Sequence, residues 1–193
     1  MQNVRTNVLI IGAGYAGIIT AKKLAKRFKN QKDVSITIVD KNPFHTMLTE
    51  LHEVAANRVE EDSIKLSLKK IFAGRNVSVK LDVIRNIDFR NKTAIGQAEN
   101  YAYDYLVIAA GSRPTFFDVA GAEEHAFKLW SYDDAVILRD YIHDCFRKAS
   151  REINPDEKKK LLSFFVVGAG FTGTEMIGEL AEYVPILCEE FEI

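Results

Sequence analysis

A glycine-spaced hexapeptide occurs twice in this chain, Gly12-Ala13-Gly14-Tyr15-Ala16-Gly17 and Gly168-Ala169-Gly170-Phe171-Thr172-Gly173, with starting positions 156 residues apart. What surrounds the first copy constrains the fold more than the glycines do. Asn7–Ile11 is a short, largely apolar run, as expected of a strand covered on both faces in a parallel sheet. After the turn, Gly17, Ile18, Ala21, Leu24, Ala25 and Phe28 recur at helical spacing. Lys22, Lys23, Lys26 and Lys29 lie opposite, several of them where the helix dipole favours cations. Val34–Val39 is a second β-branched run, so the first 40 residues predict a βαβ unit. In such a unit Gly12 permits the tight turn, Gly14 lets a pyrophosphate approach the backbone, and Gly17 lets helix and strand pack closely. The helix N-terminus supplies free N–H groups and partial positive charge. Asp40, 23 residues past Gly17, ends the second strand where it can accept hydrogen bonds from ribose hydroxyls and repel a 2′-phosphate.

The second copy repeats this context. Leu161–Val167 reads as an apolar strand, and Gly173, Met176, Ile177, Leu180 and Ala181 are in helical phase after the turn. A second dinucleotide site follows from it. Its acidic partner is not identifiable, because Glu189, Glu190 and Glu192 stand at about the right distance with no apolar strand before them. Pro185 and residues 186–191 read as helix or loop.

Between the two turns, Asn42–Pro43 is a breaker, His45–Ala56 reads as helical turns, and Ile64–Phe72 as a short helix. Val77–Val79, Val83–Ile87, Thr93–Gly96 and Tyr101–Ala110 are strand-like and suggest a small antiparallel meander. Tyr105–Ala110 should return to the central sheet and end in a small-residue turn, Ala109-Ala110-Gly111, that lets a cofactor approach its backbone. Ser112–Gly121 reads as a linker. Ser131 with Asp134 marks a helix start, and residues 153–160, with Pro155 and Lys158–Lys160, read as a solvated boundary. The fold class is therefore α/β: a Rossmann-like domain with a parallel sheet and a small meander, then the start of a second such domain. The division by function is 1–120, 121–160 and 161–193.

Composition excludes several alternatives. With 26 basic and 27 acidic residues the chain lacks the cationic excess that nucleic acid or anionic lipid would select. No apolar run reaches the roughly 18–20 residues of a membrane span, and no signal peptide is read, so a cytoplasmic location is expected. Cys145 and Cys188 fit neither a CxxC nor a zinc spacing, and His52-Glu53-Val54-Ala55-Ala56 lacks the second histidine of HExxH; no metal site is expected. His45, His52, His125 and His143 read as structural, with His45 the one considered for cofactor proximity.

Two such turns about 150 residues apart, with a strand ending in a small-small-Gly turn between them, resemble the two-dinucleotide-binding-domain flavoproteins. Residues 39–56, from Val39-Asp40-Lys41-Asn42-Pro43-Phe44 to Ala55-Ala56, and Phe165–Glu175 resemble the type II NADH dehydrogenases, single-subunit NADH:quinone oxidoreductases. The resemblance covers the whole chain and the amino-terminal part of the family's length. It implies that Gly12, Gly14, Tyr15, Ala16 and Gly17 hold the FAD pyrophosphate and that Asp40 and Lys41 lie at the adenosine ribose. By the same resemblance Thr46 approaches the flavin, Val83 meets the adenine through its backbone, and Ala110 and Gly111 close against FAD. Gly168, Gly170, Phe171, Thr172 and Gly173 would receive NADH, and Glu175 would be the catalytic residue, orienting nicotinamide or assisting quinone protonation. The bland alternative for Glu175 is a helix-dipole partner. The absence of cysteines from Asp40–Ala56 sets the chain apart from the disulfide reductases and sulfide-oxidising relatives. The implied partners are NADH and a quinone. A membrane surface is reached only through segments outside this chain, on the cytoplasmic face, and a homodimer is left open. Rival readings are a flavoprotein reductase with a soluble acceptor, a non-catalytic dinucleotide-binding module, and an inactive fragment.

Overall fold

The first apolar run forms β1 (Thr6–Ile11), and the chain returns through α1 (Tyr15–Arg27) to β2 (Val34–Asp40). The two strands pair in parallel from Thr6↔Val34 to Ile11↔Val39. Helix α1 buries Gly17, Ile18, Ala21 and Ala25 on the sheet and leaves Lys26 and Arg27 in its last turn. Ile10, Ile36 and Ile38 are fully buried, each stabilising the unit by about 1.5–3 kcal/mol. These coordinates are a computed structural model and describe residues 5–193.

The connection after β2 departs from the helical reading of His45–Ala56. Phe44–Thr46 is a strand, β3, antiparallel to β4 (Lys65–Ser67), which likewise replaces the first turn of the helix expected from Ile64. Phe44 and Thr46 are good strand formers, but only a ladder partner some twenty residues on makes them one. Helix is confined to 3-10 turns at Leu48–Glu50 and Glu61–Ile64, α2 (Leu51–Ala55) and α3 (Leu68–Ile71).

The Val77–Val79 run belongs to β5 (Ser78–Leu81), which lies parallel to β2 and outside the meander expected to contain it. The meander itself is β6 (Ile84–Asp88), β7 (Thr93–Gly96) and β8 (Asn100–Ala102), antiparallel in that order. The chain then re-enters the main sheet as β9 (Tyr105–Ile108) beside β1. The main sheet thus has the order β5-β2-β1-β9. In a sheet wound this way the chain reverses direction of travel between β1 and β9, and ligands bind at the carboxyl ends of the strands there.

The chain divides into two compact units, one of the described residues up to Thr46 with Lys65–Ser112, the other of Met47–Ile64 with Arg113–Ile193. This packing division does not follow the functional one at 120 and 160. The second unit is helical: α2, α4 (Ala122–His125), α5 (Tyr132–Ala149), α6 (Pro155–Leu161) and α7 (Phe171–Glu190). Leu51, Val54, Ala135, Ile142, Phe146, Met176, Leu180 and Leu187 form its core. Ser131 caps α5 as its spacing predicts, and Asp134 reciprocates.

Two segments of this unit correct the sequence reading, and a third, at Pro185, resolves to helix between the alternatives helix and loop. The expected boundary at 153–160 is helix α6, started by Pro155 at its first turn and by Asn154, whose side chain accepts from Asp156 and Glu157 N–H. Helix α7 runs through Pro185, held past it by fully buried Leu187. The strand expected at Leu161–Val167 does not form: α6 takes Leu161, and the residues between α6 and α7 enter no ladder among the described residues. Phe165 and Val167 are 90% and 93% exposed. An apolar pattern supplies a strand's side chains but not its hydrogen-bond partners.

Candidate dinucleotide sites

Around the first turn the sequence-predicted residues converge. Gly12 takes φ +99°, and a Cβ there would strike the Ala109 carbonyl, with the Ala110 Cα close by. Ala109 and Ala110, just past β9, therefore lie against the turn at the reversal point of the sheet, with Gly111 next in the chain. A Cβ on Gly17 would collide with the Gly12 carbonyl oxygen, whereas one on Gly14 would meet nothing within 4 Å. Gly12 and Gly17 are thus required by the protein's own packing, whereas nothing in that packing requires Gly14. Tyr15 and Ala16, the first residues of α1, are exposed there.

Asp40 braces the turn. One carboxylate oxygen accepts from Ala13 N–H at 2.6 Å and the other from Asn42 N–H at 2.8 Å. A carboxylate has about four acceptor sites, so capacity remains for ribose hydroxyls. Lys41 beside it is exposed. Thr46, half-buried on β3, follows His45, which is buried with Nδ1 3.1 Å from the Ala13 carbonyl and its ring edge-on to Tyr15. The turn is thereby clamped from two sides, and His45 has a role in it that spacing alone did not single out.

Val83 follows Asp82, whose N–H donates to the Asp40 carbonyl at 3.0 Å. The Val83 backbone is already engaged: its N–H donates to Asp82 Oδ1 and its carbonyl accepts from Gln97 N–H. Asp82 itself was not legible in sequence. Its buried carboxylate accepts from the N–H groups of Val83, Gln97, Ala98 and Glu99 and from the Tyr101 hydroxyl. Burial works against its charge, but the bonds from Ala98, Glu99, Val83 and Tyr101 outweigh that and hold its pKa down at about 2. Burial, with the Asp82 charge, pushes the Tyr101 hydroxyl up in turn. A Cβ at Gly96 would collide with this carboxylate.

The second turn has the same local geometry as the first. Gly168 takes φ +105°, and a Cβ at Gly173 would collide with the Gly168 carbonyl oxygen. Gly170 precedes α7 at φ −75°, ψ 179°, and Gly14 precedes α1 at φ −73°, ψ −171°. Neither helix has a side-chain N-cap or an acid in its first turn, while α5 and α6 are capped by Ser131 and Asn154. Two long helices thus begin with backbone N–H groups that no side chain satisfies, which is the donor set an anionic phosphate needs. Both turns fit a dinucleotide by this test. Phe171 and Thr172 are exposed at the start of α7.

Glu175 projects from the next turn of α7 with its side chain 46% exposed. Its Oε2 is 3.6 Å from His52 Nδ1, a polar contact just beyond hydrogen-bond distance. Glu179, one turn on and buried, receives the Arg58 guanidinium at 2.5 Å, and Arg58 also reaches Glu182 at 3.8 Å. The hydrogen bond and charge of Glu179 raise the Arg58 pKa. Side-chain atoms of His52, Glu53 and Glu179 lie within 4.8 Å of one another. This is metal-like spacing, but Glu179 already carries a cation. The i, i+4 spacing of Glu175 and Glu179 was the available sequence signal for one acidic face. Cys145 is buried on α5, where desolvation raises its thiol pKa, and Cys188 is half-buried on α7; both are free thiols.

The profile of the pyridine nucleotide-disulphide oxidoreductases matches residues 6–187. The chain belongs to this family. Two curated relatives, type II NADH:quinone oxidoreductases of Staphylococcus haemolyticus and Staphylococcus epidermidis, are 32% and 33% identical over 193 residues, all of this chain and 47% of each relative. The chain spans about half the length of these proteins. Among solved structures, an NDH2 from Plasmodium falciparum superposes with a TM-score of 0.84 over 97% of this chain and 39% of its own, at 23% identity, a likeness of fold. No helix among the described residues is long and apolar enough to cross a membrane.

Proposed function

We propose that this chain is the dinucleotide-binding part of an FAD-dependent NADH:quinone oxidoreductase. The observation that carries the proposal is the pair of glycine turns with matching geometry, each opening an uncapped helix. The similarity to type II NADH:quinone oxidoreductases supports the choice of substrates.

On this reading the first turn holds FAD. The N–H groups at Tyr15, Ala16 and Gly17 receive the pyrophosphate, Asp40 the adenosine ribose with Lys41 beside it, and Ala110 and Gly111 close on the flavin side with Thr46. The engaged backbone of Val83 leaves adenine a contact with its side chain and with the second lone pair of its carbonyl. The second turn, with Gly168, Gly170, Phe171, Thr172 and Gly173, receives NADH, and Glu175 orients the nicotinamide or assists protonation of the quinone. Bound flavin supplies the hydride-accepting and electron-passing chemistry. The functional division at 120 and 160 belongs to the same proposal. It also carries attachment to the cytoplasmic face of a membrane and pairing as a homodimer as expectations, checked by vesicle flotation and by light scattering.

The deciding experiment is the visible spectrum of the purified protein before and after anaerobic NADH. Flavin absorbance that bleaches with NADH and returns on adding a soluble quinone is the expected result. A colourless protein that ignores NADH counts against it.

A further inference from the structure

We infer that His52 is a positioning residue for Glu175, the carboxylate two residues past the second glycine turn. The inference rests on the functional reading above. Helix α2 presents Leu51, Val54 and Ala55 to the core of its unit, which fixes its rotation against α7. That rotation leaves His52 only 13% exposed, with Nδ1 3.6 Å from Glu175 Oε2. Glu175 is nearly half exposed, so its carboxylate is anchored on the protein side and open on the other.

The surroundings give His52 this task alone among the residues near it. The neighbouring carboxylates are Glu53, Glu179 and, through Arg58, Glu182. Arg58, the cation of the cluster, is bound to Glu179 and Glu182. Among the described residues, the basic side chain within 4 Å of the Glu175 carboxylate is His52. Without it, Glu175 would face Glu179 four residues along the same helix face, and like charges at that spacing repel. The imidazole therefore sets where the Glu175 carboxylate sits.

The test is steady-state turnover of the flavin-loaded protein expressed from its complete gene, with NADH and a soluble short-chain quinone. His52→Leu removes the ring nitrogen while keeping an apolar filler. His52→Asn keeps an amide nitrogen near the Nδ1 position, and His52→Gln carries its amide one bond too far. Flavin content and thermal midpoint establish that each variant is folded; if the Leu variant fails there, the Gln variant replaces it. The expected result is a kcat lowered about tenfold by H52L or H52Q, a loss of about 1.4 kcal/mol in the transition state, with KM for NADH within about twofold. H52N should recover to within about threefold of the original. In an E175Q background, H52L should cost less than about twofold.

Equal losses in both backgrounds, or an Asn variant as slow as the Leu variant, would overturn the inference, because a packing role predicts Leu to be the better substitute. If E175Q is too slow to measure, the Asn-against-Leu comparison decides alone. Wild-type flavin that NADH does not reduce would sink the functional reading and this inference together; flavin that is reduced while the His52 variants behave alike sinks this inference only.

Discussion

At the first turn, stability and ligand access rest on different glycines. Gly17 is pressed on the Gly12 carbonyl, so a methyl there must push α1 off β1. Gly17→Ala should lower unfolding free energy by about 1–3 kcal/mol, the usual cost of an overpacked contact. Gly14 has ordinary extended backbone angles and empty space where its Cβ would stand. Gly14→Ala should cost stability no more than about 1 kcal/mol, the ordinary cost of alanine at an N-cap, and yet remove bound flavin, since the methyl would occupy the place proposed for the pyrophosphate. Denaturant melts read alongside flavin absorbance separate the two effects; a Gly14 variant that keeps its flavin would place the cofactor elsewhere. Asp82 gives a residue-scale prediction of another kind. Its folded pKa of about 2 lies below the ordinary carboxylate value of about 3.9, so its stabilising effect is complete above pH 4 and is lost as pH falls toward 2. Asp82→Asn should lower stability at neutral pH and flatten the fall between pH 4 and 2, measured by denaturant titration across that range.

At the scale of the element, much of what depends on neighbours in sequence could be read in advance. The capping of α5 is such a case: Ser131 and Asp134 are three residues apart, and both reciprocal bonds form. Ser131→Ala should therefore cost about 1 kcal/mol of stability, seen as a shifted denaturant midpoint at unchanged slope. The first βαβ unit was legible for the same reason, since the turn, helix phase and Asp40 fall within about forty residues. Helix α6 was missed although its start signals, Asn154 and Pro155, are local; the strand failures depend on distant partners. Phe44–Thr46 looked helical until β4 supplied a ladder, and β5 looked like part of a meander because alternation does not say which edge a strand joins. The candidate site divides likewise. Spacing named the glycines and Asp40, and the family resemblance named Glu175. It could not name Asp82, whose acceptor bonds reach across the meander to residues 97–101, nor the meeting of His52 with Glu175 across 123 positions.

Across the whole molecule, the two glycine turns form an internal control on what makes the motif fold. Each has a glycine near φ +100° and a close approach between its first and last glycines. Only the first is preceded by a strand held in a sheet: β1 has β2 on one side and β9 on the other. The residues before the second, through Val167, enter no ladder among the described residues. The turn's shape therefore comes from its glycines and the helix that follows, and the strand contributes rigidity rather than conformation. Hydrogen exchange distinguishes this from a turn shaped by its sheet. Amides of Val8–Ile11 should be protected to the level of global unfolding, whereas those of Phe164–Val167 should exchange near the unprotected rate. Amides in the middle of α7 should nonetheless be protected, because Met176, Leu180, Tyr183 and Leu187 are buried in the core of its unit. Addition of NADH should slow exchange at Phe171–Gly173, where the helix N–H groups are uncapped, and leave Phe164–Val167 unchanged if the turn binds without its strand. Protection spreading to Phe164–Val167 on binding would mean instead that ligand and strand order together, and that the turn's present geometry is not sufficient for the site.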